Sequence, residues 1–159
     1  AGRPQSVGEV RRKLTTLCLR RRRAPTAAAG AQPCDEVVAA ALARLADAAL
    51  LDDIAYAEYH VDNRARFRPR SRAHLLAELS GKGVERGIAT AAVAADHHDD
   101  VTACLATMRR RGKHVQWTAS GRLDDRTMAY LMRRGYGYAT VHAAATLLRA
   151  DATTSEPLR

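Results

Sequence analysis

Apolar residues recur along this chain every three or four positions, which is the spacing of an amphipathic helix. Leu75 and Leu79 lie on one such stripe, and Met128 and Leu131 lie on another. The chain shows no stretch in which apolar and polar residues alternate strictly, as they do in a half-buried strand. The pattern therefore predicts an all-α fold.

Short polar residues, proline and glycine predict where the helices begin and end. Asp53 and Ser71 are expected to cap two helix starts, because their side-chain oxygens can accept hydrogen bonds from free backbone N–H groups. Pro69 interrupts a helical pattern. Gly83 and Gly135 each follow a predicted helix, at a position where positive φ is common.

An internal repeat organises these helices. Residues 79–84 (L-S-G-K-G-V) match residues 131–136 (L-M-R-R-G-Y) at an offset of 52 residues. Each copy consists of a helix, a basic residue, a glycine, an apolar residue and a second helix, and a further helix precedes it. Because a unit of three short helices cannot bury its apolar face alone, neighbouring units must stack. We expect tandem three-helix repeats, with Leu79 and Leu131 buried at equivalent places.

The repeat divides the chain into four segments. Residues 52–95 and 96–150 are expected to form a central and a C-terminal three-helix repeat, and residues 151–159 a frayed tail. Residues 1–51 are expected to form a degenerate N-terminal repeat with a basic arm, whose first helix is residues 10–19 and whose last is residues 37–45. An alanine-rich stretch at residues 25–32 replaces the middle helix, and we expect it to be poorly ordered.

The charge of the chain points to a partner. Lys and Arg number 26 against 17 Asp and Glu, for a formal net charge of +9, which favours a polyanion such as nucleic acid. Solubility, or a genome that favours arginine codons, would explain the same excess. An acidic segment lies between two basic ones, so the chain could contact nucleic acid and a protein together. With one Trp, one Phe and five Tyr, the chain lacks the aromatic platforms of a typical single-strand binder.

Basic residues supply the candidate binding sites. The densest run lies at residues 64–72, contains no acid, and is expected to contact phosphates or a nucleoprotein filament. Shorter runs follow predicted helices. The full set of candidates is Arg64, Arg66, Arg68, Arg70, Arg72, Lys82, Arg109, Arg110, Arg111, Lys113, Arg133 and Arg134.

Three motifs resemble those of the RecX family, in the family's order and spacing. Residues 50–58 (L-L-D-D-I-A-Y-A-E) resemble the start of its second repeat. Residues 68–84 (R-P-R-S-R-A-H-L-L-A-E-L-S-G-K-G-V) resemble its basic loop and the helix that follows, and residues 131–138 (L-M-R-R-G-Y-G-Y) resemble its last repeat. The match spans about residues 37–148. Before Cys34 the match is poor, because the family has a helix of the form S-x-x-x-L-x-x-x-L-x-x-x-G where this chain has the alanine-rich residues 26–32.

The resemblance implies a curved, elongated helical array that lies in the groove of the RecA–DNA filament. Family members contact RecA protomers and block ATPase, strand exchange and co-protease activity. The resemblance implies no cofactor and no catalytic residue, so we expect a regulator and not an enzyme. The spacing of the acidic and histidine residues predicts no metal site. The expected partners are the RecA filament and, weakly and non-specifically, DNA.

Localisation follows from cysteine usage and hydropathy. Cys18, Cys34 and Cys104 are odd in number, widely spaced and without a C-x-x-C motif, so we expect reduced thiols in a cytoplasmic protein. No run approaches the ~18 apolar residues of a membrane span. We expect a monomer without membrane association.

A helix-turn-helix DNA-binding transcription factor is the alternative, because residues 75–93 resemble that motif with Gly83 at the turn. Against it, the second helix offers Ala89, Ala91 and Ala92 where base-reading side chains would be needed. The motif also recurs, which a repeat protein explains and a single recognition helix does not.

A hydrolase or nuclease that uses acidic and histidine clusters is a third hypothesis. Residues 96–100 (D-H-H-D-D) have the residue types of a metal site, but neighbours on one helix point apart. The pairs at residues 52–53 and 124–125 fall at predicted helix starts, where capping explains them better. Neither Ser71 nor Ser120 has His and Asp at triad spacing.

Overall fold

Eight α-helices make up most of what the computed structural model describes, namely residues 4–23, 32–95 and 99–154, without the side chains of residues 152–154. In chain order they are α1 (Val7–Arg22), α2 (Cys34–Asp47), α3 (Asp53–Phe67), α4 (Arg72–Gly81), α5 (Arg86–Ala95), α6 (Asp100–Arg111), α7 (Asp125–Met132) and α8 (Tyr138–Thr154). A 3-10 turn, Gly112–His114, follows α6. Within these ranges β structure is limited to an isolated bridge between Trp117 and Leu123. The all-α prediction is confirmed.

Helices begin where short polar side chains accept hydrogen bonds from exposed backbone N–H groups. Ser71 caps α4 in this way, as predicted. Asp52, and not Asp53 as expected, caps α3 by accepting from the N–H groups of Ile54 and Ala55. Asp53 is instead the first residue of the helix, which leaves its carboxylate available for a contact with another unit.

Two clusters of buried side chains form the core, one within α3–α5 and one within α6–α8. We call these helix triplets the central repeat and the C-terminal repeat. Leu79 and Leu131 are fully buried, one in each cluster, as the 52-residue offset predicted; burying a leucine side chain contributes about 1.5–3 kcal/mol. Val61 of α3 and Met108 of α6, which follows it by 47 residues, are equally buried. The tandem three-helix architecture is confirmed.

The helix α1 is placed differently from the expectation. It begins after Ser6, whose side chain accepts from the N–H of Glu9 while the Glu9 carboxylate accepts from the N–H of Ser6, so that S-x-x-E forms a capping box. Ser6 packs on a glycine turn of the central repeat, as Ser71 packs on one of the C-terminal repeat. α1 is therefore the counterpart of the middle helix α4. The assignment of residues 10–19 to a first helix is wrong, because α1 starts farther upstream and continues to Arg22 without a stop glycine.

A disulfide joins α1 to α2. It links Cys18 and Cys34, whose Cα atoms are 5.9 Å apart because the two helices pack together. The expectation of three reduced thiols is wrong for this pair, since separation in the sequence does not limit proximity in the fold. Cys104 is a free thiol in the core of the C-terminal repeat, where burial raises its pKa to about 12.

The same backbone junction connects each unit to the next. The N–H of Val7 donates to the Asp53 carboxylate at 2.9 Å, and the N–H of Arg72 donates to the Asp100 carboxylate at 2.6 Å. Each donor is the first residue of a middle helix, and each acceptor is the first residue of the next repeat's first helix. At residues 52–53 and 99–100, the second aspartate of the pair thus connects units, while the first caps its own helix.

A glycine turn lies against each junction. Gly83 has a φ of +82° and Gly135 a φ of +89°, so the positive φ expected at both is confirmed. A Cβ on Gly83 would lie 2.9 Å from the Cα of Gly8, and a Cβ on Gly135 would lie 2.3 Å from the Oγ of Ser71. Both glycines are therefore needed for the approach of the preceding unit as well as for the turn.

Some expectations concern residues that are not described here. They are most of the alanine-rich stretch at residues 25–32, the histidine-containing part of the acidic cluster at residues 96–98, and residues 155–159. α8 extends to Thr154, past the boundary expected at residue 150. Of the helices that are described, none combines the length and the apolar character needed to cross a membrane.

Replacing Gly83 by Ala should lower the free energy of unfolding by at least about 1–2 kcal/mol, because a left-handed φ is costly for alanine and the new Cβ meets the Gly8 backbone. Gly81→Ala is the matched control, since a Cβ there meets nothing within 4 Å and alanine favours the helix. Urea unfolding followed by far-UV circular dichroism measures both variants. An equal effect of the two substitutions would show that the junction does not require a glycine.

Candidate nucleic-acid interface

The basic run at residues 64–72 has acidic partners that its sequence does not suggest. The carboxylate of Glu78, on α4, lies 2.7 Å from the Nε of Arg64 and 3.7 Å from the Nε of Arg70. The Nε2 of His60 lies 3.0 Å from the same carboxylate. An uncompensated positive segment is therefore not what the structure shows for three of its five arginines, because Arg64 and Arg70 pair with Glu78 of the next helix and Arg66 pairs with Asp62 of its own helix.

Glu78 is held in its ionised form by these neighbours. Partial burial of its side chain, which is 18% exposed, opposes ionisation. Hydrogen bonds with His60 and Arg64 outweigh that effect, so the pKa of Glu78 lies below its ordinary value. The carboxylate therefore neutralises this part of the run.

Three candidate cations form ion pairs with carboxylates other than Glu78. They are Arg66 with Asp62 at 2.7 Å, Lys82 with Glu9 at 2.7 Å, and Arg109 with Asp151. Such pairs contribute about 0–1 kcal/mol each when exposed, but they reduce the charge that is available to a partner. Arg72, Lys113 and Arg133 are exposed and lie outside the cleft described next.

The remaining four candidates meet in a single cleft, which we call the arginine cleft. They are Arg68, Arg110, Arg111 and Arg134. The cavity has a volume of about 290 Å³ and lies where the loop after α3 meets α6 and α7. Its other lining residues are Phe67, Pro69, Thr107, His114 and Tyr130, so no carboxylate lines it within the described ranges. Basic residues that are far apart in the sequence thus form one electropositive cavity between two repeats.

Tyr130 holds two of these arginines in place. The guanidinium carbon of Arg111 lies 4.1 Å from the centroid of its ring, and that of Arg134 lies 4.8 Å from it, both within cation–π range. The Nε of Arg111 donates to the carbonyl of His114 at 3.0 Å, and the Nη1 of Arg134 donates to the carbonyl of Pro69 at 3.4 Å. The Nε of Arg134 is buried and has no hydrogen-bond partner in the described part of the chain.

The central repeat has a counterpart of this cleft that differs in one important position. Offsets of 47 residues between α3 and α6 and of 52 residues between α4 and α7 align the two cavities. The aligned pairs are His60 with Thr107, Arg64 with Arg111, Lys82 with Arg134, and Glu78 with Tyr130. The central repeat therefore supplies an anion to its own cations, whereas the C-terminal repeat has an aromatic ring at the place of that anion.

Sequence reasoning missed Phe67, Tyr130 and Glu78 as parts of this surface. Tyr130 and Arg134 are four residues apart at the end of α7, so helical spacing carried a signal for their contact. The meeting of Arg68 with the arginines of α6 and with Arg134 had no such signal, because it depends on how the repeats stack.

The acidic pairs act at helix starts, which confirms the capping interpretation. Asp52, Asp99 and Asp124 cap α3, α6 and α7. Hydrogen bonds from Thr127 are the main reason why the pKa of Asp124 is lowered. Among the residues described, no group of three His, Cys, Asp or Glu side chains is placed to hold a metal ion.

Comparison with curated proteins identifies relatives of one kind, although no family model matches the chain. Regulatory protein RecX of Thermobifida fusca is 35% identical over 127 residues, which are 76% of this chain and 61% of that protein. The chain thus spans less than two thirds of that relative's length. Regulatory protein RecX of Mycobacterium tuberculosis is 32% identical over 148 residues, which are 84% of each chain.

A solved structure has the same fold. The crystal structure of RecX from Lactobacillus salivarius matches with a TM-score of 0.62 over 92% of this chain and 87% of that chain. The sequence identity is 18%, so the comparison supports the fold and not individual site residues.

Replacing Glu78 by Gln should destabilise the protein at neutral pH and have little effect in acid. The pKa of Glu78 is lowered from its ordinary value of 4.5 in the folded state. The stability contributed by its carboxylate is therefore complete above that value and is lost as the pH falls through the folded pKa. We expect a loss of about 1–2 kcal/mol at neutral pH, measured by urea unfolding over a pH series.

Glu58→Gln is the control for this measurement, because Glu58 is an exposed carboxylate on the neighbouring helix α3. A stability difference between Glu78→Gln and the parent that does not change with pH would contradict the role assigned to the Glu78 carboxylate.

Proposed function

The chain belongs to the RecX family, and we propose that it restrains RecA by binding the RecA–DNA filament, with inhibition of ATPase, strand exchange and co-protease activity. The family assignment rests on relatives that are named regulatory proteins. The observation that carries the proposal is the arginine cleft, where four guanidinium groups face one cavity without a lining carboxylate. Regulation would then come from binding and not from catalysis.

The chemistry of the cleft suits a polyanionic filament. Guanidinium groups present several donors in a plane that matches phosphate oxygens, and each contact releases counterions from the nucleic acid. The cleft also lies where two repeats meet, so a ligand bound there contacts both. Arg68 is the contribution of the basic run to this cleft. The exposed Arg72, Lys113 and Arg133 are further cations close to the cleft residues along the chain.

The remaining partner assignments follow from this proposal. We propose that a single copy of the chain contacts RecA protomers and the DNA of the filament, in the cytoplasm where RecA acts. The DNA contacts are made to the phosphate backbone, so they carry little sequence specificity. The exposed acidic residues Asp35 and Glu36, at the start of α2, are candidates for a separate contact with protein.

The helix-turn-helix alternative gains no support from α5, which would be its recognition helix. α5 buries Ala89, Ala92 and Val93 in the central core. Three of the six residues that it exposes are alanine, and the others are Arg86, Gly87 and Thr90. Such a surface offers few donors or acceptors for base edges.

A double variant, Arg68→Ala with Arg110→Ala, should inhibit RecA strand exchange less than the parent protein does. Both side chains are exposed, so the variant should fold with a stability change within about 0.5 kcal/mol. If each arginine contacts a phosphate, the log–log dependence of binding on salt should flatten by about one unit per arginine. Strand-exchange assays over a salt series measure both effects.

The matched control is Arg44→Ala with Arg86→Ala, which also removes two exposed arginines but lies outside the cleft. Equal losses of inhibition in the two double variants would show that net charge and not the cleft determines binding. A parent protein without any effect on RecA strand exchange or ATPase would overturn the proposed function.

A further inference from the structure

We infer that the arginine cleft binds a backbone phosphate of single-stranded nucleic acid, with a neighbouring base stacked on Phe67. It rests on the proposed function, because it names the ligand of the same cleft. It differs from the proposed function in requiring direct binding without RecA and a preference for single strands.

The two equivalent cavities indicate that the ligand is an oxyanion. In the central repeat, the carboxylate of Glu78 lies between Arg64 and His60 and accepts hydrogen bonds that these side chains would otherwise direct at solvent. In the C-terminal repeat the equivalent position is Tyr130, whose ring orients two guanidinium groups without neutralising them. An external oxyanion completes the C-terminal cleft as Glu78 completes the central one.

The donors of the cleft are also arranged before a ligand arrives. Arg111 and Arg134 are fixed by the ring of Tyr130 and by backbone carbonyls. These contacts with carbonyls use one N–H donor of each guanidinium group, and each group has five. The other donors can form charge-assisted hydrogen bonds with a phosphate oxygen.

Phe67 distinguishes nucleic acid from an acidic peptide. It is the one Phe of the chain, it lines the arginine cleft, and its side chain is 71% exposed. A flat apolar ring beside a phosphate site is the arrangement by which proteins stack the bases of single strands. An acidic side chain would gain nothing from that ring.

The same ring distinguishes single strands from duplexes. Bases in a duplex are stacked on one another and are not available to an external ring, so Phe67 should contribute only to single-strand binding. The chain as a whole has few aromatic residues, which argued against an extended single-strand binding surface. Stacking of one base requires only one exposed ring beside the phosphate site.

The test compares binding of a fluorescently labelled oligothymidylate and of a duplex of equal length by anisotropy, without RecA. Tyr130→Glu introduces a carboxylate at the position equivalent to Glu78 and retains every arginine. It should weaken single-strand binding by about tenfold or more. Ala129→Glu adds the same charge at the exposed neighbouring position and should change it by about twofold or less. Circular dichroism confirms that both variants are folded.

Phe67→Ala tests the base contact. Because the Phe67 side chain is exposed, its removal should not affect folding. It should weaken binding to the single strand by about fivefold or more and leave duplex binding unchanged. Leu50→Ala, at another exposed apolar side chain, should affect neither ligand. Equal effects of Tyr130→Glu and Ala129→Glu, or equal effects of Phe67→Ala on the two DNA forms, would overturn the inference.

A short polyglutamate peptide with the same charge as the oligothymidylate serves as a competitor, to test whether the cleft binds acidic peptides. If it displaces the oligothymidylate more effectively than unlabelled DNA does, the cleft binds acidic peptide and the inference is wrong. The same variants in the RecA assay separate the two proposals. If the parent protein inhibits RecA but its DNA binding does not change in Tyr130→Glu and Phe67→Ala, only the inference is refuted. If DNA binding changes as expected but the parent protein does not inhibit RecA, only the proposed function is refuted.

Discussion

One kind of hydrogen bond joins each unit of this molecule to the next. Its donor is the backbone N–H of the first residue of one unit's middle helix, and its acceptor is the aspartate that begins the next unit. It occurs between Val7 and Asp53 and again between Arg72 and Asp100. Each bond satisfies an N–H that has no partner within its own helix, and each places a capping serine against a glycine turn. The array therefore depends on a polar contact at its joints as well as on the apolar clusters within its repeats.

The arginine cleft is a consequence of the second of these joints. Once the N–H of Arg72 is bound to Asp100, the N–H of Ser71 lies 3.3 Å from the carbonyl of Arg134. The loop that carries Arg68 and the buried Pro69 is thereby brought against the end of α7. A contact that stabilises the fold thus also creates the surface that is available for function.

The two repeats show how one backbone can serve two purposes. In the central repeat, Glu78 pairs with neighbouring arginines, and these ion pairs stabilise the fold at pH values above the pKa of the Glu78 carboxylate. In the C-terminal repeat, Tyr130 keeps Arg111 and Arg134 in position but leaves their charge for a partner. A change of one residue type at equivalent places separates a structural ion cluster from a candidate binding site.

Local patterns along the chain were enough to predict the helical class, the 52-residue repeat, the buried places of Leu79 and Leu131, and the glycine turns, because each depends on local periodicity or on one backbone conformation. The family motifs pointed to the same architecture. Three features became visible only in the folded chain: α1 is a middle helix, Cys18 meets Cys34, and particular cations are neutralised by carboxylates. These features depend on groups that are distant along the chain, and Coulomb attraction between a cation and a carboxylate depends on their distance in space and not on their separation in sequence.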